Sequence, residues 1–103
     1  MRVEILHIDD CPNWQEAGRR TQEALIRTGH GEHVSYCLLA TAEQASAAAF
    51  AGSPTITVDG ADLFPSEGQT GDLACRIYFT SDGIAGLPEL DQIVESIRAY
   101  DEG

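Results

Sequence analysis

The stretch Val3-Glu4-Ile5-Leu6-His7-Ile8-Asp9-Asp10-Cys11-Pro12-Asn13-Trp14 carries the decision about the fold. Val3 to Ile8 reads as a buried strand, with β-branched and aliphatic side chains on both faces. Asp9-Asp10 breaks that run. Pro12 follows where a helix accepts its first residue, since its missing N–H is not needed there and its φ is already set. From Trp14 onward, Trp14, Ala17, Thr21, Ala24, Leu25 and Thr28 recur at helical spacing. Gly29 and Gly31 supply a stop, and Arg27 in the last turn complements the helix dipole. The chain therefore opens as a strand, a cysteine and a helix.

Working outward, His33 to Leu39 reads as a second strand, with Val34, Tyr36 and Leu38 alternating against Ser35, Cys37 and Leu39. Thr41-Ala42-Glu43-Gln44 is a capping-box pattern, and the alanine-rich stretch to Phe50 predicts a short helix ended by Gly52. This β-α-β-α order calls for a parallel strand pair joined by a crossover. Ser53 to Val58 is a β-rich run opened by Pro54. Asp59-Gly60 signals a tight turn, and Ala61 to Phe64 returns as an antiparallel edge. Pro65 to Asp72 reads as a loop. Cys75 to Thr80 is a further strand-like run, followed by a Ser81-Asp82-Gly83 turn. The final helix is expected to start near Pro88 with the apolar stripe Leu90, Ile93, Val94 and Ile97, and Asp101-Glu102-Gly103 to fray. With no repeat or linker in 103 residues, positions 1–103 read as one domain.

The charge balance excludes several function classes. Six Lys and Arg stand against seventeen Asp and Glu, a net charge of −11, which repels nucleic-acid phosphates and anionic membrane surfaces alike. No apolar run reaches the roughly 18–20 residues that span a bilayer, and the N-terminus goes straight into a strand pattern with no features of a secretory signal. A cytoplasmic protein is expected. Cys11, Cys37 and Cys75 are too few and too scattered for a disulfide-stapled scaffold, and no C-x-x-C pair supports a zinc ribbon. Free thiols fit better. His7, His30 and His33 match no metal-binding spacing, and no resident cofactor is expected.

The order β-α-β-α-β-β-α, with a central mixed sheet flanked by helices, resembles the thioredoxin fold over roughly residues 2 to 100. Cys11-Pro12 stands at the start of the first helix. Ser53-Pro54-Thr55 looks like the cis-proline segment of thioredoxins and glutaredoxins, and Val58-Asp59-Gly60 resembles the glutaredoxin-type hairpin. More closely, the chain resembles small thioredoxin-family proteins that carry Cys-Pro-Asn-Trp, here Cys11-Pro12-Asn13-Trp14. In these a later Cys-Arg-x-Tyr, here Cys75-Arg76-Ile77-Tyr78, is followed by an Asp-Gly or Glu-Gly turn. The resemblance implies that Pro54 is cis and that the Ser53 backbone lies beside Cys11, offering groups to an extended peptide or thiol substrate. The chain departs from the dithiol pattern at Trp14, which stands where the resolving cysteine would be.

The candidate chemistry centres on Cys11 as a nucleophilic or ligand thiol. A helix N-terminus favours its thiolate, whereas Asp9, Asp10 and the net charge favour the neutral form. Cys75 reads in two ways: a resolving thiol that meets Cys11 in space, or a small buried hydrophobe on a strand. Cys37 reads as core. Pro12, Trp14, Ser53 and Pro54 are candidate substrate-binding residues, although a tryptophan on a first helical turn is more often a packing residue than a substrate platform. Two functions follow. One is a monothiol or atypical thiol–disulfide oxidoreductase acting on a thiol or disulfide substrate. The other is a non-catalytic binding module for a protein partner or a soft metal ion. A third outcome is a fold without activity, with Phe64-Pro65 as its contact patch.

Overall fold

The computed structural model describes residues 1–48, 50–65 and 75–102. Its elements are β1 (Val3–His7), α1 (Trp14–Arg27), β2 (Ser35–Leu38), α2 (Ala42–Ala47), β3 (Thr55–Val58), β4 (Ala61–Asp62), β5 (Tyr78–Thr80), β6 (Gly83–Ala85) and α3 (Leu90–Glu102). Among the described residues the architecture is mixed α/β: three helices and a four-stranded sheet in the order β2-β1-β3-β4. β1 and β2 run parallel, with Ile5 opposite Tyr36, while β3 runs antiparallel to β1 with Ile56 opposite Ile5. The parallel pair expected from the first two strands is present. β4 returns antiparallel to β3 through Asp59-Gly60, both at positive φ, which is the backbone a two-residue hairpin needs.

Strand alternation divides the interior. Val3 and Ile5 of β1, with Ile56 and Val58 of β3, face α1 and α3 and meet Ala17, Leu25, Ile93 and Ile97. Leu6 and Ile8 face the other way and join Cys11, Leu39, Ala45 and Phe50 in a second cluster. Each fully buried Leu, Ile or Phe here contributes roughly 1.5–3 kcal/mol. Cys11 is therefore built into the second cluster, and the first cluster fixes β1 behind it. No helix among the described residues is long and apolar enough to cross a membrane.

The structure redraws several expected boundaries. Pro12 is not the first residue of α1. It lies in the turn before it, and the Asn13 carbonyl accepts the first helical bond, from the Ala17 N–H at 3.0 Å. The Thr41-Gln44 capping box forms as expected, but α2 stops at Ala47, so Phe50 is free to turn into the second cluster. The run 75–80 is a strand only from Tyr78 on. It pairs with the unforeseen β6 in a separate two-stranded sheet that presents Phe79 and Ile84 to solvent. The C-terminal turn is helical through Glu102, because Asp101 is tied to His30 (Oδ2–Nε2 2.8 Å). Most of the expected loop at 65–72 lies outside the described residues, as do Gly103 and residue 49 of the alanine-rich stretch.

Trp14 packs with the first cluster. Its indole stacks on the buried His7 ring (centroids 4.3 Å, interplanar angle 15°) and meets Tyr36 edge-on at 5.5 Å. The Tyr36 hydroxyl lies where a side chain on Gly18 would begin, 2.1 Å from an ideal Cβ. Gly18→Ala is therefore expected to gain about 1 kcal/mol of helix propensity and to lose about 0.5–1.5 kcal/mol of aromatic contact as Tyr36 swings outward. Stability should stay within about 1 kcal/mol of wild type by urea unfolding. The fluorescence of the single tryptophan should shift clearly; an unchanged spectrum would mean that Tyr36 never moved.

Candidate functional site

The site is assembled around the backbone of Ser53. The Ser53–Pro54 peptide bond is cis, and both residues are buried between the end of β1 and residues 75–78. The Ser53 side chain accepts the Ile8 N–H at 3.1 Å, which anchors it to the end of the first strand. Its carbonyl accepts two donors: the Cys11 thiol at 3.4 Å and the Arg76 N–H at 2.8 Å. An isolated parallel bridge pairs Ser53 with Cys75. Cys11 and Cys75 thus flank one peptide carbonyl although 64 positions separate them, counted as 75 minus 11.

Cys11 and Cys75 both attach to the Ser53 backbone, close enough for Cys11 to act on Cys75 electrostatically, and all three cysteines are free thiols. Interaction with the neighbouring Cys11 thiol is the main reason the Cys75 thiol is pushed above its ordinary value; partial burial and the nearby Asp10 add to it. The exposure of the two thiols differs sharply: Cys11 is 1% exposed, whereas Cys75 is open to solvent.

Residues 75–78 are locked onto the cis-proline segment by groups whose roles the sequence did not disclose. Gly52, at φ +108°, passes so close to Arg76 that an added Cβ would lie 2.8 Å from its Cα. The Tyr78 hydroxyl donates to the Pro54 carbonyl, and burial pushes that phenol well above its usual range. The buried Arg76 guanidinium pairs with Asp62 (Nη1–Oδ2 2.8 Å), donates to the Phe64 carbonyl and lies over the Tyr78 ring at 4.6 Å. The Cys-Arg-x-Tyr spacing was the only signal for this lock. It alternates a buried Arg76 and Tyr78 against an exposed Cys75 and Ile77.

Of the sequence-derived site residues, Cys11, Cys75, Ser53 and Pro54 are brought together. Pro12 is exposed beside Cys11, and Trp14 stands apart with His7 and Tyr36 in the first cluster. Cys37 is half-buried against the second cluster. Phe64 packs edge-on against Tyr78 at 5.7 Å rather than standing free, leaving Pro65 as the exposed member of that patch. Among the described residues no group of three or more His, Cys, Asp or Glu side chains is placed to hold a metal ion. Comparison with protein-family models, curated proteins and solved structures finds no match to this chain.

Proposed function

We propose that this chain is a thioredoxin-like thiol protein in which Cys11 and Cys75 form a dithiol–disulfide couple, and that it acts as an atypical thiol–disulfide oxidoreductase. The observation that carries this reading is that both free thiols sit on one residue: the Cys11 thiol donates to the Ser53 carbonyl, and Cys75 bridges Ser53 from the other side. The parallel β1–β2 pair, the antiparallel β3–β4 hairpin and the cis Ser53–Pro54 bond beside Cys11 support the thioredoxin-like assignment. Cys75 supplies the second thiol of the couple, which the helix lacks because Trp14 stands at that position. Free thiols fit a reducing compartment, so we place the protein in the cytoplasm. The competing soft-ion reading would use the same two sulfurs; the redox couple needs no further donor.

The test uses Cys37→Ser protein equilibrated with oxidised and reduced dithiothreitol. Oxidation should remove two hydrogens from the intact mass, and proteolytic mapping should link Cys11 to Cys75. Turnover with small disulfide substrates should be lost in both Cys11→Ser and Cys75→Ser. An oxidised protein with no such cross-link, or full turnover in either single variant, would sink the couple.

A further inference from the structure

In the usual picture of such a site the thiol at the helix start meets the substrate and the other resolves. The exposures run the opposite way here. Cys11 is 1% exposed, packed among Leu6, Ile8 and Phe50, and donates its proton to the Ser53 carbonyl. Cys75 is open to solvent. The backbone edge that would pair with an extended substrate is also taken, because Cys75 bridges Ser53 and the Arg76 N–H fills its carbonyl.

Resting on the redox reading above, we propose that Cys75 is the thiol that attacks the external substrate, that Cys11 resolves from within, and that the substrate is a small neutral disulfide rather than an extended polypeptide. Beside Cys75 lies a cleft of about 460 Å³ whose walls include Phe64, Pro65, Ile77 and Phe79. That volume suits a small molecule. Among the described residues lining the cleft none is a carboxylate, and its single formal charge, Arg76, is already paired with Asp62. Asp10 acts on Cys75 electrostatically and disfavours an anionic disulfide.

The chemistry balances within the pair. Cys75, open to solvent, gives its proton to water, and its thiolate attacks one substrate sulfur. The substrate S–S bond breaks, and its other half leaves as a thiolate. That thiolate takes the proton from Cys11. The Cys11 thiolate then attacks the Cys75 sulfur, breaks the mixed disulfide and expels the second half. The substrate is reduced by two electrons, and the Cys11–Cys75 disulfide is formed.

The test traps the intermediate in a Cys37→Ser background with dithiodipyridine, a neutral aromatic disulfide. The Cys11→Ser variant should accumulate one stable adduct, mapped to Cys75. The Cys75→Ser variant should react at least about tenfold more slowly, since Cys11 must await a local opening. Dithiobis-nitrobenzoate, which is anionic, should react with Cys75 more slowly than the neutral probe at low salt. Because either substitution could disturb folding, the parent protein is also alkylated with a limiting amount of iodoacetamide, and the label should fall on Cys75. First labelling at Cys11, or equally fast trapping by Cys75→Ser, would overturn the assigned order even where the Cys11–Cys75 disulfide forms normally. Equal rates for the two probes would overturn the preference for a neutral substrate. If the adduct falls on Cys75 but no cross-link follows, the order of attack stands and the redox couple is what fails.

Discussion

Gly52→Ala is expected to lower stability by about 3 kcal/mol and to uncouple the two thiols. The alanine would be forced to φ +108°, a region L-residues enter at a cost of about 1–3 kcal/mol. Its Cβ would also lie 2.8 Å from both the Cα and the Cβ of Arg76. The obstacle is backbone, not the end of a flexible side chain, so relief requires moving residues 75–76 bodily; overpacking of this kind costs about 1–3 kcal/mol. That movement pulls the Arg76 N–H off the Ser53 carbonyl and carries the Cys75 sulfur away from Cys11. In urea the midpoint should drop by at least about 1 M. At urea concentrations where the variant remains folded, the Cys11–Cys75 disulfide should form less readily at a given dithiothreitol ratio. Gly31→Ala is the control: nothing lies within 4 Å of its Cβ, and the change should stay within about 0.5 kcal/mol. A Gly52→Ala protein as stable as wild type, or one that keeps the couple intact, would show that Gly52 does not hold the two segments together.

The parts of the molecule legible in the sequence are those governed by short-range rules. β1 and α1 follow from hydrophobic period, and α2 from a capping box confined to four residues. The Asp59-Gly60 hairpin follows from the φ values its turn demands. Cys11 and Pro54 stand out as site positions only through the resemblance to the thioredoxin fold, since a proline opening a strand is by itself an ordinary local pattern. What was not legible depends on partners far apart in the chain. That Cys75 leaves the strand and bridges Ser53 is decided by Arg76, whose guanidinium reaches back fourteen residues to Asp62, and by Tyr78, which reaches Pro54. Alternation within 75–80 suggests a strand, but Cys75 bridges Ser53 and the Arg76 N–H goes to the Ser53 carbonyl, and Tyr78–Thr80 form the ladder, with β6. Trp14 was ambiguous for the same reason: its partners His7 and Tyr36 come from two different strands.

The same long-range dependence makes Arg76→Met the second large effect. Arg76 is 8% exposed and Asp62 has a side chain only 13% exposed, so the substitution strands a carboxylate away from both water and its cation. Removing one partner of a buried pair typically costs about 3–5 kcal/mol, more than the pair itself contributes, because the desolvated charge is left behind. The double variant Arg76→Met with Asp62→Leu should therefore recover most of the loss, which would separate the stranded charge from mere loss of packing over Tyr78. The pH dependence gives an independent check. Burial already pushes the Asp62 carboxyl up despite the pull of Arg76 and the Phe64 N–H, and deleting the guanidinium pushes it further. A carboxyl whose folded pKa lies above its unfolded value binds more protons folded than unfolded between the two values. The associated penalty is thus absent below the unfolded pKa and grows as pH rises through the folded one. The deficit of Arg76→Met relative to wild type should accordingly narrow as pH falls toward the carboxylate range, and it should vanish from the pH profile once Asp62 is leucine. A deficit that is flat with pH, or one that the double variant leaves uncorrected, would place the role of Arg76 in its packing over the Tyr78 ring rather than in its charge. Such a result would move the side chain's share of the lock on Cys75 from the ion pair to the Tyr78 contact, beside the backbone approach that Gly52 permits.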